Sequence, residues 1–553
     1  LEIPPVTHRR GSLPALVLAA GLMAGAPAHA GADPGRPDPD GARWWSHIAV
    51  LASDAYEGRL TGTPGYLKAA DYVAARFKAA GLAPGGVDGS YFQPVDLISQ
   101  IVDQDASRVI VKVGDRTWTP VPGEDLVLGA RIPQPGVITA PLVFIGYGIA
   151  LPDAGYDDFA AQDLKGKIAV TISGGPDTLT SALKAHSRAY NTWKAVEKAG
   201  AVGLISIPNP SSMDIPWPRL RLLARQSGMT LADPRFNDAK GPRLTATINP
   251  ASAETLFAAS GHSFAEQRAL SDAHKPIPGF PLNASLTARV AAQTTPVVSP
   301  NVVAVLPGRD PALRDEYVVV SAHLDHLGVG APIEGDPVYH GAMDNASGVA
   351  SLLEVGRDLA EGGARPKRSV LFVAVTGEEK GLLGSRYFAE DPTVPRRAIV
   401  ADINMDEFLP LYPLHALTAL GEPESTLGAD VRAVAKEKGY DILPDGEPDR
   451  SLFVRSDQYS FIRVGVPSIA LMFGHAPGSK EDAIVAEWNH HRYHAPQDNL
   501  TQPVDREAAS EFNAYLDALI RRVADAPQRP HWLADSFFRR FEMKPTGGNR
   551  PGD

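Results

Sequence analysis

The chain has 553 residues, 44% hydrophobic and 21% charged, which excludes a disordered chain and calls for more than one core. Its formal net charge of -11 gives nucleic acid no electrostatic footprint, so no nucleic-acid partner is expected. It has no cysteine, which excludes thiol catalysis, disulfides and cysteine-held zinc, so any metal must rest on imidazoles and carboxylates.

The N-terminus carries His8-Arg9-Arg10, then an apolar run over 12–25, then Ala28-His29-Ala30. A basic region, an apolar core and a small-x-small site read as a Sec-type signal peptide over 1–30, cleaved near Ala30. A secreted or periplasmic protein is therefore expected. The run is shorter than the roughly 20 apolar residues that span a bilayer. No later stretch is long and apolar enough to do so, and no membrane span is expected after signal removal. Residues 31–41, GADPGRPDPDG, form a flexible leader.

Residues 42–124 are expected to open the main domain. They hold a helix from about Arg43 to Ala52, the Gly-rich turn YEGRLTGTPG and a second helix through KAADYVAARFKAAG. In that helix Ala69, Tyr72, Val73, Ala75 and Phe77 give an apolar face, and Gly81 ends it. Between 125 and 290 short β-type runs such as PLVFIGYGI and GKIAVTIS alternate with turns, with one helix near Tyr190 to Ala199. No cluster of His and carboxylates lies there, so this part reads as a smaller β-rich insertion without chemistry of its own.

From 291 to 527 apolar strands alternate with helices: NVVAVLPG, EYVVVSAH, SVLFVAVT, AIVADINM and VPSIALMF are the strands. This α/β pattern predicts a sheet covered by helices on both faces. Residues 528–553 are expected to form a C-terminal tail, whose final PTGGNRPGD is polar and mobile. In such sheets, ligands sit beyond the carboxyl ends of the strands. One strand runs into His323-Leu324-Asp325-His326, another into Glu378-Glu379, a third into Asp406-Glu407. Asp344 stands just before a helix, and His494 stands in a loop after the last strand.

His323, Asp344, Glu379, Asp406 and His494 thus supply two imidazoles and three carboxylates. That set suits two zinc ions, with cobalt or manganese also possible. Five ligand residues give each metal three only if one carboxylate is shared. Asp344, at a helix start, is the best bridge. Two such ions roughly 3.5–4 Å apart can share a water and lower its pKa. Adjacent Glu378 and Glu379 can divide the work, one on the metal and one free to move protons. Asp325 can hold the second imidazole nitrogen of His323.

The strings SAHLDHLG, GAMDNASGVASLLEVGRDLA, TGEEKGLLGSRYF, INMDEF and RYHAPQDNL resemble, in order, the metal-site motifs of metallopeptidase family 28. The resemblance covers about Asn301 to Ala526, and LASDAYEGRLTGTPG resembles the family's N-terminal segment. It implies a mixed sheet between helices and a di-zinc exopeptidase acting on peptides, an aminopeptidase first. It makes Asp344 the bridge, puts Glu379 and His494 on one zinc, and puts His323 and Asp406 on the other. Glu378 becomes the general base, Asp325 a supporting partner, and the Asp344–Asn345 peptide cis. LVFIGYGIALPDAGYDDFAAQDLKGKIAVTISGGP with YNTWKAVEKAGAVGLISI resembles a protease-associated domain, whose implied role is to wall the cleft. His340, Glu407 and Gln458 depart from the family pattern and bear on the specificity pocket.

Two other functions remain open at this point. A carboxypeptidase or dipeptidase needs a cation for the substrate carboxylate, and Arg455 is the candidate. A non-enzymatic binding protein resembling transferrin receptor would have lost metal ligands, and here all five stand. The oligomeric state is not legible.

Overall fold

The computed structural model describes residues 38–130, 136–213, 215–237, 241–446, 450 and 452–543. The signal peptide, most of the leader and residues 544–553 of the tail lie outside them. From Pro39 onward the described chain is one compact unit.

The strands of the alternating pattern read from sequence form the buried half of a mixed sheet. Its order is 441–443, 416–420, 468–473, 399–405, 317–323, 369–375 and then the long strand Phe280–Leu306. Tyr317–His323 lies between Ser369–Val375 and Ile399–Met405 and is parallel to both. Every residue of Ser369–Val375 and of Ile399–Met405 is buried. Burial on both faces is what a helix-covered parallel sheet requires.

Successive side chains serve opposite faces. Val318, Val320, Phe372 and Ala374 join the core beneath Trp44, Val349 and Phe512. Val319, Leu371, Val373 and Val375 join the other face, with Phe388 and Phe461. The first face is covered by the helices Pro39–Leu51, Ser347–Glu361 and Arg506–Asp525, which pack on one another. The helix Pro64–Ala79 starts on Thr63, whose hydroxyl accepts from the Tyr66 amide, with Pro64 in the first turn. The helix Lys480–His491 is not evident from sequence, because only Val485 and Trp488 of its twelve residues are buried.

The sheet does not stop at the insertion. Phe92–Val113 pairs antiparallel with Phe280–Leu306 along nearly its whole length, broken by one bulge between Arg289 and Ala291. Beyond this ribbon the sheet continues through 137–144, 168–172, 203–207, 244–248 and 126–128. A second apolar core fills that end, with Val111, Phe144, Ile168, Val170, Ile205 and Phe257 among its members. It draws on the chain from Val102 to Ala288. The boundary expected at 125 therefore falls inside a segment that already serves the second core. The sequence hides this because the same two strands pass through both cores without a break.

Candidate metal centre

The four parallel strands of the buried half, Tyr317–His323, Ser369–Val375, Ile399–Met405 and Ser468–Phe473, end at the same rim. His323 closes its strand, Asp406 follows Met405, and Glu378 and Glu379 follow the turn after Val375. Gly377 has φ +65°, and a Cβ there would press on Leu383, so the tight turn that delivers the glutamates needs glycine. Asp344 and Asn345 are non-helical, ahead of the helix Ser347–Glu361, and their peptide is cis. His494, at φ +53°, follows the helix Lys480–His491.

The five expected ligands converge. His323 Nε2 stands 3.2 Å from Asp344 Oδ1 and 3.1 Å from Asp406 Oδ1. His494 Nε2 stands 3.2 Å from Asp344 Oδ2 and 3.2 Å from Glu379 Oε2. Each oxygen of Asp344 thus faces a different trio. Donors about 2.0–2.1 Å from a tetrahedral zinc stand roughly 3.3 Å from each other, so the imidazole–carboxylate spacings in both trios suit zinc. The chemistry agrees, because three carboxylates packed beside two imidazoles need cations to offset them.

His323 Nδ1 lies 3.0 Å from the Asp325 carbonyl oxygen. A carbonyl only accepts, so Nδ1 carries the proton and Nε2 is left for a metal. Asp325 therefore orients His323 through its backbone, and its nearest carboxylate oxygen stands 3.9 Å away. That carboxylate is engaged elsewhere: it accepts from Thr61 Oγ1 at 2.9 Å and from the Glu378 amide at 3.1 Å. It fixes the backbone of the glutamate expected to act as base.

Electrostatics separate the two glutamates. Burial works against ionised Glu379, but His494 and His326 hold its carboxyl well below the usual range. Burial pushes Glu378 well above it, with the carboxylates of Asp406, Asp457 and Glu379 adding to the effect and His323 opposing it. One is held as a ligand and the other has a high proton affinity. Burial disfavours charge on His494, yet Glu379 and Asp344 push it up to about 10.

Several supporting residues have no role in the sequence reading. Asp498 is fully buried and accepts from the amides of Met343, at 2.9 Å, and Asp344, at 3.0 Å. Asn345 donates to the Met405 carbonyl at 2.9 Å, tying the Asp344 loop to the strand that delivers Asp406. Arg59 is fully buried and donates to the carbonyls of Leu51, Leu324, His340 and Gly341. Burial lowers its guanidinium to about 10, against the pull of Asp498, Asp344, Asp325 and Glu379. His326 Nδ1 lies 2.8 Å from Glu379 Oε1, behind the expected ligand set, and could join Asp344 and Glu379 as a third donor. All four residues lie inside the motifs quoted above. A charged or polar side chain that shares a motif with the ligands, yet has no task there, is the signal that could have found them.

Of the residues that depart from the family pattern, His340 bonds the Ala52 carbonyl and Asp336 at 3.1 Å each and holds the fold together. Gln458 accepts from Asn404 at 2.9 Å and donates to the Phe453 carbonyl at 2.9 Å. Glu407 faces a cavity of about 470 Å³ that also exposes Glu378, Asp406, His494, Tyr493 and Arg455.

Residues 301–520 match the model of Peptidase family M28. This segment belongs to that family. The probable zinc metalloprotease of Pyrenophora teres f. teres (strain 0-1) is 38% identical across 112 residues, 20% of this chain and 23% of that protein. Leupeptin-inactivating enzyme 1 of Streptomyces exfoliatus is 25% identical across 238 residues, 42% of this chain and 50% of that protein. The matches therefore span at most half of these relatives. A solved aminopeptidase from Aneurinibacillus sp. strain AM-1 is 21% identical, covers 88% of this chain and 95% of its own, and superposes with a TM-score of 0.51. That likeness is one of fold alone, and it covers most of the chain rather than residues 301–520 only.

Proposed function

We propose that the protein is a zinc exopeptidase that removes N-terminal residues from peptides. The observation that carries this reading is the pair of donor trios sharing Asp344, with Glu378 beside them in one cavity. One zinc would rest on Asp344, Glu379 and His494, and the other on Asp344, His323 and Asp406. When bound, the two ions supply Lewis acidity for the peptide carbonyl and bring the pKa of water toward neutrality. Cobalt and manganese suit the same donors.

The chain's own residues supply the proton traffic. Glu378 takes a proton from the attacking water as its oxygen bonds to the carbonyl carbon. The C–N bond then breaks, and Glu378 hands the proton to the leaving amine. Its high proton affinity suits a group that must hold a proton between these events. Glu407 Oε1 is buried with no hydrogen-bond partner among the described residues. It meets the α-ammonium of the substrate.

A second reading, carboxypeptidase or dipeptidase, is favoured by the arginines in the same cavity, Arg188, Arg386, Arg455 and Arg463. A panel of aminoacyl anilides and N-blocked dipeptides, offered to the zinc-loaded protein, separates the two. Hydrolysis of the anilides alone supports the first reading, and hydrolysis of N-blocked dipeptides supports the second. Glu378→Gln is expected to lose about 10²–10⁴-fold in turnover with unchanged zinc content. Full activity in that variant sinks the mechanism. The basic, apolar and Ala28-His29-Ala30 pattern supports export to a periplasm or beyond, and N-terminal sequencing of the mature protein tests cleavage after Ala30.

A further inference from the structure

The metal ligands face a second cavity that the proposed chemistry does not use. It encloses about 450 Å³, within the range of small-ligand sites, and both Glu379 and His494 line it. Its remaining walls come largely from the insertion. Leu204 lies on the half-exposed face of the strand Gly203–Ile207, whose alternate residues Ile205 and Ile207 are fully buried in the second core. Leu220 and Leu223 project from the helix Trp217–Leu223. They are three residues apart and so share a face. No residue of that helix is buried, although four of its seven are apolar. Leu327 adds to a lining that is mainly apolar, with Ser206, Gln226, Thr245, Thr247 and Lys380 among its polar members, and Trp193 lines this cavity and the first one.

The two cavities differ in what they expose. Glu378, Asp406 and Glu407 line the first and not the second. An N-terminal residue whose ammonium meets Glu407 therefore sits in the first cavity. Its peptide bond lies over the paired trios, and the rest of the peptide leaves past His494 and Glu379, under Trp193, into the second. We propose that this second cavity is the subsite for the residue after the cleaved bond, and that it selects a large apolar side chain there. The inference rests on the aminopeptidase reading. It gives the insertion a specific task, which is to read the leaving peptide.

The test uses tripeptides with one well-accepted N-terminal residue, a second residue of Gly, Asp or Phe, and a terminal Gly. Anilides are unsuitable, because their aromatic leaving group would enter the same cavity. For the zinc-loaded protein, kcat/KM is expected to favour Phe over Gly by on the order of tenfold or more, with Asp poorest. Leu223→Asp and, independently, Leu204→Asp are expected to shrink the Phe/Gly ratio at least about fivefold. Zinc content and Tm identify any variant that has failed to fold, and the two sites lie on different elements. Equal rates for Gly and Phe in the unaltered protein overturn the subsite. So do variants that leave the ratio intact, or that shift selectivity at the N-terminal residue instead. A protein that cleaves no peptide at all removes the aminopeptidase reading as well, whereas a peptidase indifferent to the second residue removes only the subsite.

Discussion

The two ends of the sheet bury similar strands and very different polar groups. At the M28 end Arg59, His323, Asp325, His326, Asp344, Asp402, Asp457 and Asp498 are all buried. At the insertion end the second core is closed by Phe144, Phe257, Phe280 and their apolar neighbours, and the acidic or basic side chains buried between 125 and 290 are, among the described residues, Lys184 and His186. Burying charge is costly unless it is paired or meets a metal. The difference shows where the fold has been built to hold cations. Strand composition does not distinguish the two ends, but the residues that follow each strand do.

Removing a buried partner of the metal loop tests that contrast most severely. Asp498→Ala leaves the amides of Met343 and Asp344 without their acceptor and removes a counter-charge of the Arg59 guanidinium. Each orphaned buried group costs about 1–3 kcal/mol. Zinc affinity is expected to fall about 10–100-fold, read by competition with a chromogenic chelator. Unchanged affinity would mean that the Asp344 loop is held by other contacts.

The insertion has its own buried ionisable anchor, and acid should find it. His186 Nδ1 bonds the Tyr459 hydroxyl at 2.6 Å, with Phe537, Phe538 and Phe541 around the ring. Burial, with Arg463, Arg540 and Lys194 nearby, lowers its pKa to about 3. The unfolded imidazole takes its proton near pH 6.5. Stability from this group is therefore complete above about pH 6.5 and is lost as pH falls toward 3, by at most a few kcal/mol. Tm measured from pH 7 to pH 4 should fall less steeply in His186→Phe than in the unaltered protein.

Chelation sharpens the comparison in the opposite direction. A metal at a hundred times its Kd adds about 2.7 kcal/mol to the state that binds it. Stripping zinc should lower Tm and speed amide exchange over 342–346 and 376–379, while exchange in the strand Ile168–Ile172 stays the same. Faster exchange in both would show that the two cores unfold together. The smallest effect is expected at the exposed pair Arg225–Asp105, whose bonds are 3.0 Å each. Arg225→Ala should leave Tm nearly unchanged, because solvent screens such pairs.

His323, Asp344, Glu379 and Asp406 stand out in the sequence because each ends or follows its strand, or precedes its helix, within a few residues, whereas His494 lies past the helix Lys480–His491 and is marked by its motif alone. Glu378 and Glu379, for instance, need only the turn at Gly377 to reach the rim. Asp498 and Arg59 lie inside the quoted motifs, but nothing local to them shows what they hold. Their partners include the backbone of Met343, 155 residues from Asp498, and of His340, 281 residues from Arg59. The role of Asp325 differs from the sequence reading for a similar reason. Its side chain answers to Thr61, 264 residues distant, and only its carbonyl answers to His323. The long ribbon strands are hidden by their exposed middles, where 292–296, AQTTP, offer no buried apolar side chain.

That ribbon determines how the protein can be taken apart. Excising 125–290 would strip Val102, Val109, Val111 and Val113 of the core they fill and leave a greasy half-strand in water. A graft or deletion that respects the molecule would cut instead near 98–101 and 292–296, where the paired strands bury few apolar side chains. The unit that evolution can exchange is therefore longer at its front than the composition of the chain suggests, and its seam runs across two strands.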